Sequence, residues 1–195
     1  MKLRHWICLV VAMTAVFAGA QTVDPERAQK SDEVFQKATK LDLLNQILPL
    51  LFTKEQYRDI LPSIERARQR VRETQKLEAD ELVKLDKQLD AALKDAMEKG
   101  VVPPRELLTE VSKTLQKLSI ARGIISGQNT QEVFDAFVKT ANAGQKKAAA
   151  NALSPKLFDP SAKPEEMSDD EKLRVFVREI LLHPMAYDIM RKLSI

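Results

Sequence analysis

The chain has 195 residues, a length that suits one helical domain or two small lobes. Its 31 basic and 28 acidic residues give a formal charge of +3, and the first 20 residues hold two of the bases and no acid. Without that segment the charge falls to +1, which argues against a nucleic acid as partner.

Cysteine and histidine are scarce, which limits the cofactors that the chain can bind. Cys8 is the single cysteine, and of the two histidines only His183 lies beyond residue 20. The usual ligand sets for zinc, copper and haem therefore cannot be assembled, and we predict no cofactor. An oxygen-ligand site for calcium or magnesium stays open, although the spaced acidic calcium-binding loop is absent.

Residues 1–20 have the three-part layout of a secretory signal peptide. A basic start at Lys2 and Arg4 is followed by an apolar run up to Phe17 and then by small residues. The apolar run is shorter than the about 20 residues that span a bilayer. We therefore predict cleavage near Ala20, an extracytoplasmic location (periplasmic or secreted), and no integral membrane span after cleavage.

The residues after this segment show helical periodicity and no β-type alternation. Residues 21–31 are polar, and we predict that they are flexible. From about Ser31, apolar residues recur at three- and four-residue steps, which predicts a first helix. Pro49 is expected to end it, because proline lacks the backbone N–H and disfavours helix in the preceding residue.

The next predicted helix is the longest of the chain. Thr53 and Gln56 have the spacing of a capping box, and the helical pattern then continues to Gly100. Pro62 predicts either a kink or a restart of the helix. The apolar seam steps by three and four residues but slips by one residue near Glu78, as at an insertion in a coiled coil.

A return helix is predicted after the two prolines at 103–104, antiparallel to the long helix because the connection is short. Gly127 is expected to end this helix, and Thr130 to cap the next one. The later signals are a short alanine-rich helix at 146–153, a proline-rich loop at 154–167, a capping box at Ser168 and Glu171, and a break at His183 and Pro184.

Together these patterns predict an all-α fold with a long, coiled-coil-like antiparallel helical hairpin and a smaller C-terminal set of helices. Residues 21–126 would hold the N-terminal helices and the hairpin. Residues 127–195 would form the C-terminal region, packed on the hairpin as one domain.

The densest basic run lies early in the long helix. At about 100° per residue, Arg66 and Arg70 share one face and Arg68 and Arg72 share another, on either side of the apolar seam. These four arginines and Tyr57 form the predicted interaction surface. The alternative is that the arginines are solvated and their aliphatic stems shield the seam.

Nothing in the sequence points to catalysis. The chain has neither a nucleophile elbow nor a phosphate-binding glycine loop. A single histidine before proline, such as His183, is typical of a cap or packing residue. The acids of 169–171 suit a first helical turn, where they meet the positive end of the helix dipole. We therefore predict that the protein is not an enzyme.

The segment from Phe52 to Gln56 resembles the Leu-Thr-x-x-Gln motif of the Spy/CpxP-type periplasmic proteins, with Thr53 and Gln56 as the matching residues. The resemblance covers residues 41–126 at most. It implies an exported, all-helical protein with a bent helical hairpin that acts as an ATP-independent chaperone or envelope-stress regulator. The nearest second copy of the motif starts at Leu108 and lacks the glutamine.

We therefore expect an exported, non-enzymatic protein that binds other proteins through a helical surface, in the manner of a Spy-like chaperone. The alternative is a dedicated structural or assembly subunit that packs its long helix against one envelope partner or against a second copy of itself.

Overall fold

The computed structural model describes residues 24–195, so the predicted signal segment lies outside the described residues. This part of the chain is all-α and contains no strand, which confirms the predicted fold class. Its helices are α1 (Pro25–Ile47), α2 (Lys54–Lys99), α3 (Arg105–Thr140), α4 (Ala143–Ala152), α5 (Asp169–Phe176) and α6 (Ala186–Leu193).

The first helix begins earlier than the sequence predicts. The Asp24 side chain accepts a hydrogen bond from the backbone N–H of Glu26 at 3.1 Å, and so caps α1. Pro25 fits the first helical position because an N–H there would have no partner within the helix. The prediction that residues 21–31 are flexible is therefore wrong from Pro25 onward.

α2 and α3 form the predicted long hairpin. The capping box of Thr53 and Gln56 opens α2, as predicted, and Gly100 ends α2 with a φ of 65°. α2 continues through Pro62, so the alternative of a restart there is wrong. Ile60 and Ile64, on either side of this proline, are fully buried, and their packing offsets the missing backbone hydrogen bond.

α3 does not end at Gly127, as the sequence predicts, but continues to Thr140. Thr130 caps no helix; its hydroxyl is buried inside α3 without a hydrogen-bond partner. Asn129 and Val133 are buried on the inward face of this stretch, and that burial outweighs the roughly 1 kcal/mol that a helical glycine costs. The boundary predicted between residues 126 and 127 therefore falls inside one continuous helix.

Replacing Gly123 and Gly127 by alanine should stabilise the protein. A Cβ atom at either glycine would meet no other atom within 4 Å, and alanine favours the helix by about 0.5–1 kcal/mol per site. Thermal or urea unfolding of the double variant should show a gain of about 1–2 kcal/mol. Gly100→Ala is the matched control and should destabilise, because its φ of 65° strains any residue with a side chain.

One hydrophobic core joins the base of the hairpin to α1 and to the C-terminal helices. Phe137 is at its centre, with its ring centroid 5.5 Å from that of Phe52 and 6.2 Å from that of Phe176. Leu43 and Ile47 bring the C-terminal end of α1 into the same core. The C-terminal helices thus pack on the base of the hairpin.

The distal part of the hairpin extends beyond this core, and we call residues 73–124 the arm. Its four buried side chains lie between α2 and α3: Glu78, Leu85, Leu107 and Leu118. At about 1.5 Å per residue, the α2 part of the arm is about 40 Å long. No helix within residues 24–195 has the length and apolar character that crossing a membrane requires.

The C-terminal region follows the predicted order closely. The capping box of Ser168 and Glu171 opens α5, as predicted. α5 then passes directly into a π-helical turn at Val177–Leu181, which no sequence signal indicated. His183 and Pro184 separate this turn from α6, as predicted.

Candidate interaction surface

Two of the predicted surface arginines hold the hairpin together. Arg66 and Arg70 both pair with Glu132 of α3, and Arg70 also donates to the Asn129 side chain at 2.7 Å. Burial raises the pKa of Glu132, but hydrogen bonds from Arg70 and Arg66 outweigh it and bring the pKa below its ordinary value of 4.5. This pair of arginines therefore joins α2 to α3 at the base of the arm.

The other two arginines lie on the second face of α2, as the helical spacing predicts. Arg72 and Arg68 both donate to Glu65, at 2.7 Å and 3.1 Å, and the hydrogen bond from Arg72 is the main cause of the lowered pKa of Glu65. The Arg68 guanidinium also lies 4.2 Å from the ring centroid of Tyr187, a cation–π contact with α6.

Tyr57 does not belong to this surface. Only 4% of the residue is exposed, and its ring packs edge-on against Phe52 with the centroids 5.5 Å apart. Burial also raises the pKa of its phenol group. Tyr57 lies at a seam position one turn before Ile60, so the apolar face of α2 brings it into the core. Its assignment to the interaction surface is wrong.

Arg68 and Arg72 line a cavity of about 770 Å³ between the hairpin and the C-terminal region. We call this cavity the arginine groove. Apolar side chains of α2, α3 and the segment after the π-helical turn contribute to its wall, and Glu78 is the one carboxylate among the lining residues. The arginines are Arg68, Arg72, Arg122 and Arg178, and the apolar residues are Ala67, Val71, Ile125, Leu182 and Pro184.

Glu78 occupies the position at which the seam slips by one residue. Its side chain is buried, and both of its oxygens accept hydrogen bonds from Arg122 of α3, at 2.6 Å and 2.8 Å. The bonds from Arg122 lower the pKa of Glu78 and raise that of the guanidinium. A buried carboxylate needs such a partner, so the slip in the seam creates a specific ion pair between the two helices.

Several exposed apolar side chains of the arm lie on the same side of the hairpin. Leu93 lies eight residues after the buried Leu85 on α2, and Leu115 lies eight residues after the buried Leu107 on α3. Eight residues turn a side chain about 80° away from the buried row. Because α2 and α3 are antiparallel, this turn brings both leucines to the same side of the hairpin, where they are 58% and 52% exposed.

We call this side of the arm the apolar face. Leu82, Met97 and Leu108 are also exposed, and each lies within about 120° of the buried row, rotated in the same direction as Leu93 and Leu115. The arginine groove opens on the same side, since Arg68 follows the buried Ala67 by one residue and Ser126 follows the buried Leu118 by eight. The apolar face comprises Leu82, Leu93, Met97, Leu108 and Leu115.

The glutamine of the Leu-Thr-x-x-Gln-like motif has a structural role. Gln56 accepts from the backbone N–H of Thr53 at 3.0 Å and donates to the carbonyl of Thr140 and to the Gln145 side chain, both at 3.0 Å. Gln145 belongs to a capping box of its own with Asn142, which opens α4. The two boxes thus interlock the starts of α2 and α4.

The capping box of Asn142 and Gln145 was not predicted from the sequence, although Asn-x-x-Gln is a recognised capping-box pattern. Thr109, in the nearest second copy of the motif, lies inside α3, where its hydroxyl donates to the carbonyl of Arg105.

His183 and Glu171 each have a local hydrogen-bond partner. The Nδ1 atom of His183 accepts from the backbone N–H of Met185 at 3.2 Å, and burial lowers its pKa. Glu171 caps α5 through Ser168. Within residues 24–195, no group of three or more histidine, cysteine or acidic side chains could hold a metal ion.

Comparison with family models, with curated proteins and with solved structures found no match to this chain.

Proposed function

We propose that the protein is exported and non-enzymatic, and that it binds other proteins through the apolar face of its arm, in the manner of a Spy-like, ATP-independent chaperone. The observation that carries the proposal is the position of Leu93 and Leu115 on one side of a helix pair that extends beyond the core. An apolar face of this kind gives extended or unfolded chain segments a hydrophobic contact without a deep pocket.

The arrangement of charge supports reversible rather than permanent contact. The acids Asp86 and Asp90 are exposed on the same side of α2 as Leu93. Interspersed charge keeps each apolar contact small, so that a bound segment can dissociate.

The test is suppression of aggregation of a thermally unfolded enzyme, measured by light scattering. The variant Leu93→Ser/Leu115→Ser should lose most of the protection, because it removes two large side chains from the apolar face. The matched control is Leu77→Ser/Ile124→Ser: these residues are 66% and 56% exposed on the same two helices but lie on the opposite side of the hairpin. Equal protection by wild type and both variants would contradict the proposal.

A dedicated structural subunit is the second candidate, because the exposed apolar face could equally be covered by one fixed partner. The buried ion pair between Glu78 and Arg122 fixes the register of α2 against α3 within the hairpin and does not distinguish the two candidates. In this case one stoichiometric partner, or a second copy of the chain, would cover the apolar face. Equilibrium sedimentation that shows a monomer at high concentration would remove the self-association form of this alternative.

A further inference from the structure

We propose that the arginine groove binds a small amphiphile with one apolar chain and an anionic head group, such as a long-chain carboxylate. This inference goes beyond the proposed function, because Leu93 and Leu115 of the apolar face do not line the groove. Its volume of about 770 Å³ falls within the roughly 300–1,000 Å³ that is typical of small-molecule sites.

The lining residues match the two parts of such a molecule. Val71, Ile125 and Leu182 offer an apolar wall for a hydrocarbon chain, and they come from three different elements. The four groove arginines offer donors for an anionic head group, and guanidinium groups bind carboxylates with two parallel hydrogen bonds. A free anion would leave the apolar wall uncovered, and a plain hydrocarbon would leave the excess positive charge of the groove without a counterion.

The charge balance fits one anionic group. Each groove arginine pairs with a carboxylate of the protein: Arg68 and Arg72 with Glu65, Arg122 with Glu78, and Arg178 with Glu179. Four guanidinium groups therefore face three carboxylates, which leaves one positive charge. Arg178 donates to Glu179 through Nε alone, so both of its terminal nitrogens can reach a ligand.

The backbone beside the groove gives independent support. Arg178 belongs to the π-helical turn at Val177–Leu181, and Leu182 follows that turn directly. π-Helical turns are rare and recur at functional sites, where the wider turn changes the direction of its side chains. Here the turn brings one charged and one apolar residue to the same cavity.

The experiment is isothermal titration calorimetry of residues 21–195 with dodecanoate at low ionic strength, below the concentration at which dodecanoate forms micelles. We expect saturable binding at one site. Acetate tests the head group alone, and dodecyltrimethylammonium tests the same chain with a cationic head. Neither should bind at the groove. Equal binding of the anionic and cationic amphiphiles would overturn the proposal, as would the absence of saturable dodecanoate binding.

Substitutions locate the site. Arg72→Gln/Arg178→Gln should weaken dodecanoate binding at least about tenfold, the effect of losing one charge-assisted hydrogen bond. Val71→Trp should block binding by filling the groove, and Val71 is 40% exposed, so the fold should tolerate the change. The control is Arg191→Gln, an exposed arginine outside the groove, with circular dichroism to verify that all variants fold. Unchanged affinity in the first two variants would overturn the assignment.

Two further probes separate this ligand from other occupants. Binding of an acidic amphipathic peptide, but not of dodecanoate, would make the groove a protein-binding site and overturn the proposal. Binding only to vesicles of an anionic phospholipid would likewise overturn it and indicate a membrane surface. The aggregation assay with Leu93→Ser/Leu115→Ser is a separate measurement, so failure of either proposal can be recognised by itself.

Discussion

Phe137→Ala should lower the free energy of unfolding by about 3–5 kcal/mol, the range measured for truncating a buried aromatic residue. Phe137 is fully buried, and its ring contacts those of Phe52 and Phe176, which join the base of the hairpin to the C-terminal region. The cavity left behind would remove contacts from both neighbours. Urea unfolding followed by circular dichroism measures the loss.

The control for this prediction is Phe35→Ala on α1, where the phenylalanine is 57% exposed and belongs to the part of α1 outside the core. Its replacement should change stability by no more than about 0.5 kcal/mol. If both variants lost the same stability, Phe137 would not hold the central position that the structure gives it.

Gln56→Ala should destabilise the protein by about 2–4 kcal/mol, well above the about 1 kcal/mol that is typical of a lost helix cap. The substitution removes the bond to the Thr53 backbone and the bonds from Gln56 to Thr140 and Gln145. It also leaves the amide nitrogen of the buried Gln145 with one long hydrogen bond, 3.4 Å to the carbonyl of Leu51, while the amide oxygen still accepts from the backbone N–H of Asn142 at 2.9 Å. Thermal unfolding compares the variant with wild type.

Gln69→Ala provides the matched control, because Gln69 is an exposed glutamine on the same helix and its bonds are to Glu73 and Arg72. Its stability should stay within about 0.5 kcal/mol of wild type. A loss at Gln56 no larger than that at Gln69 would show that the interlocked capping boxes contribute little. The presence of glutamine at position 56 of the motif would then need an explanation other than helix capping.

The features that depend on local sequence were predictable. The capping boxes at Thr53 and Ser168 open helices as expected, because the side chains that satisfy the free N–H groups lie within four residues. The division of the four arginines between two faces of α2 also follows from helical spacing alone. The hairpin itself followed from two long periodic segments and a short connection.

The features that depend on tertiary packing were not predictable in this way. Gly127 is a weak helix residue, yet α3 continues through it because buried residues on either side hold the helix against α2. Tyr57 was predicted to belong to the interaction surface, whereas its ring lies in the core, where it packs against Phe52. The arginine groove combines residues that are over 100 positions apart, which no single-segment pattern reports.

The most direct test of the central claim is site-specific photo-cross-linking in cells that export the protein. A photoreactive residue at Leu93, on the apolar face, should yield adducts with many unrelated envelope proteins, and one at Ile120, on the outer side of α3, should yield few. A single stoichiometric adduct at Leu93 would favour the dedicated subunit. Equal adducts at both positions, or none at either, would contradict binding of proteins through the apolar face.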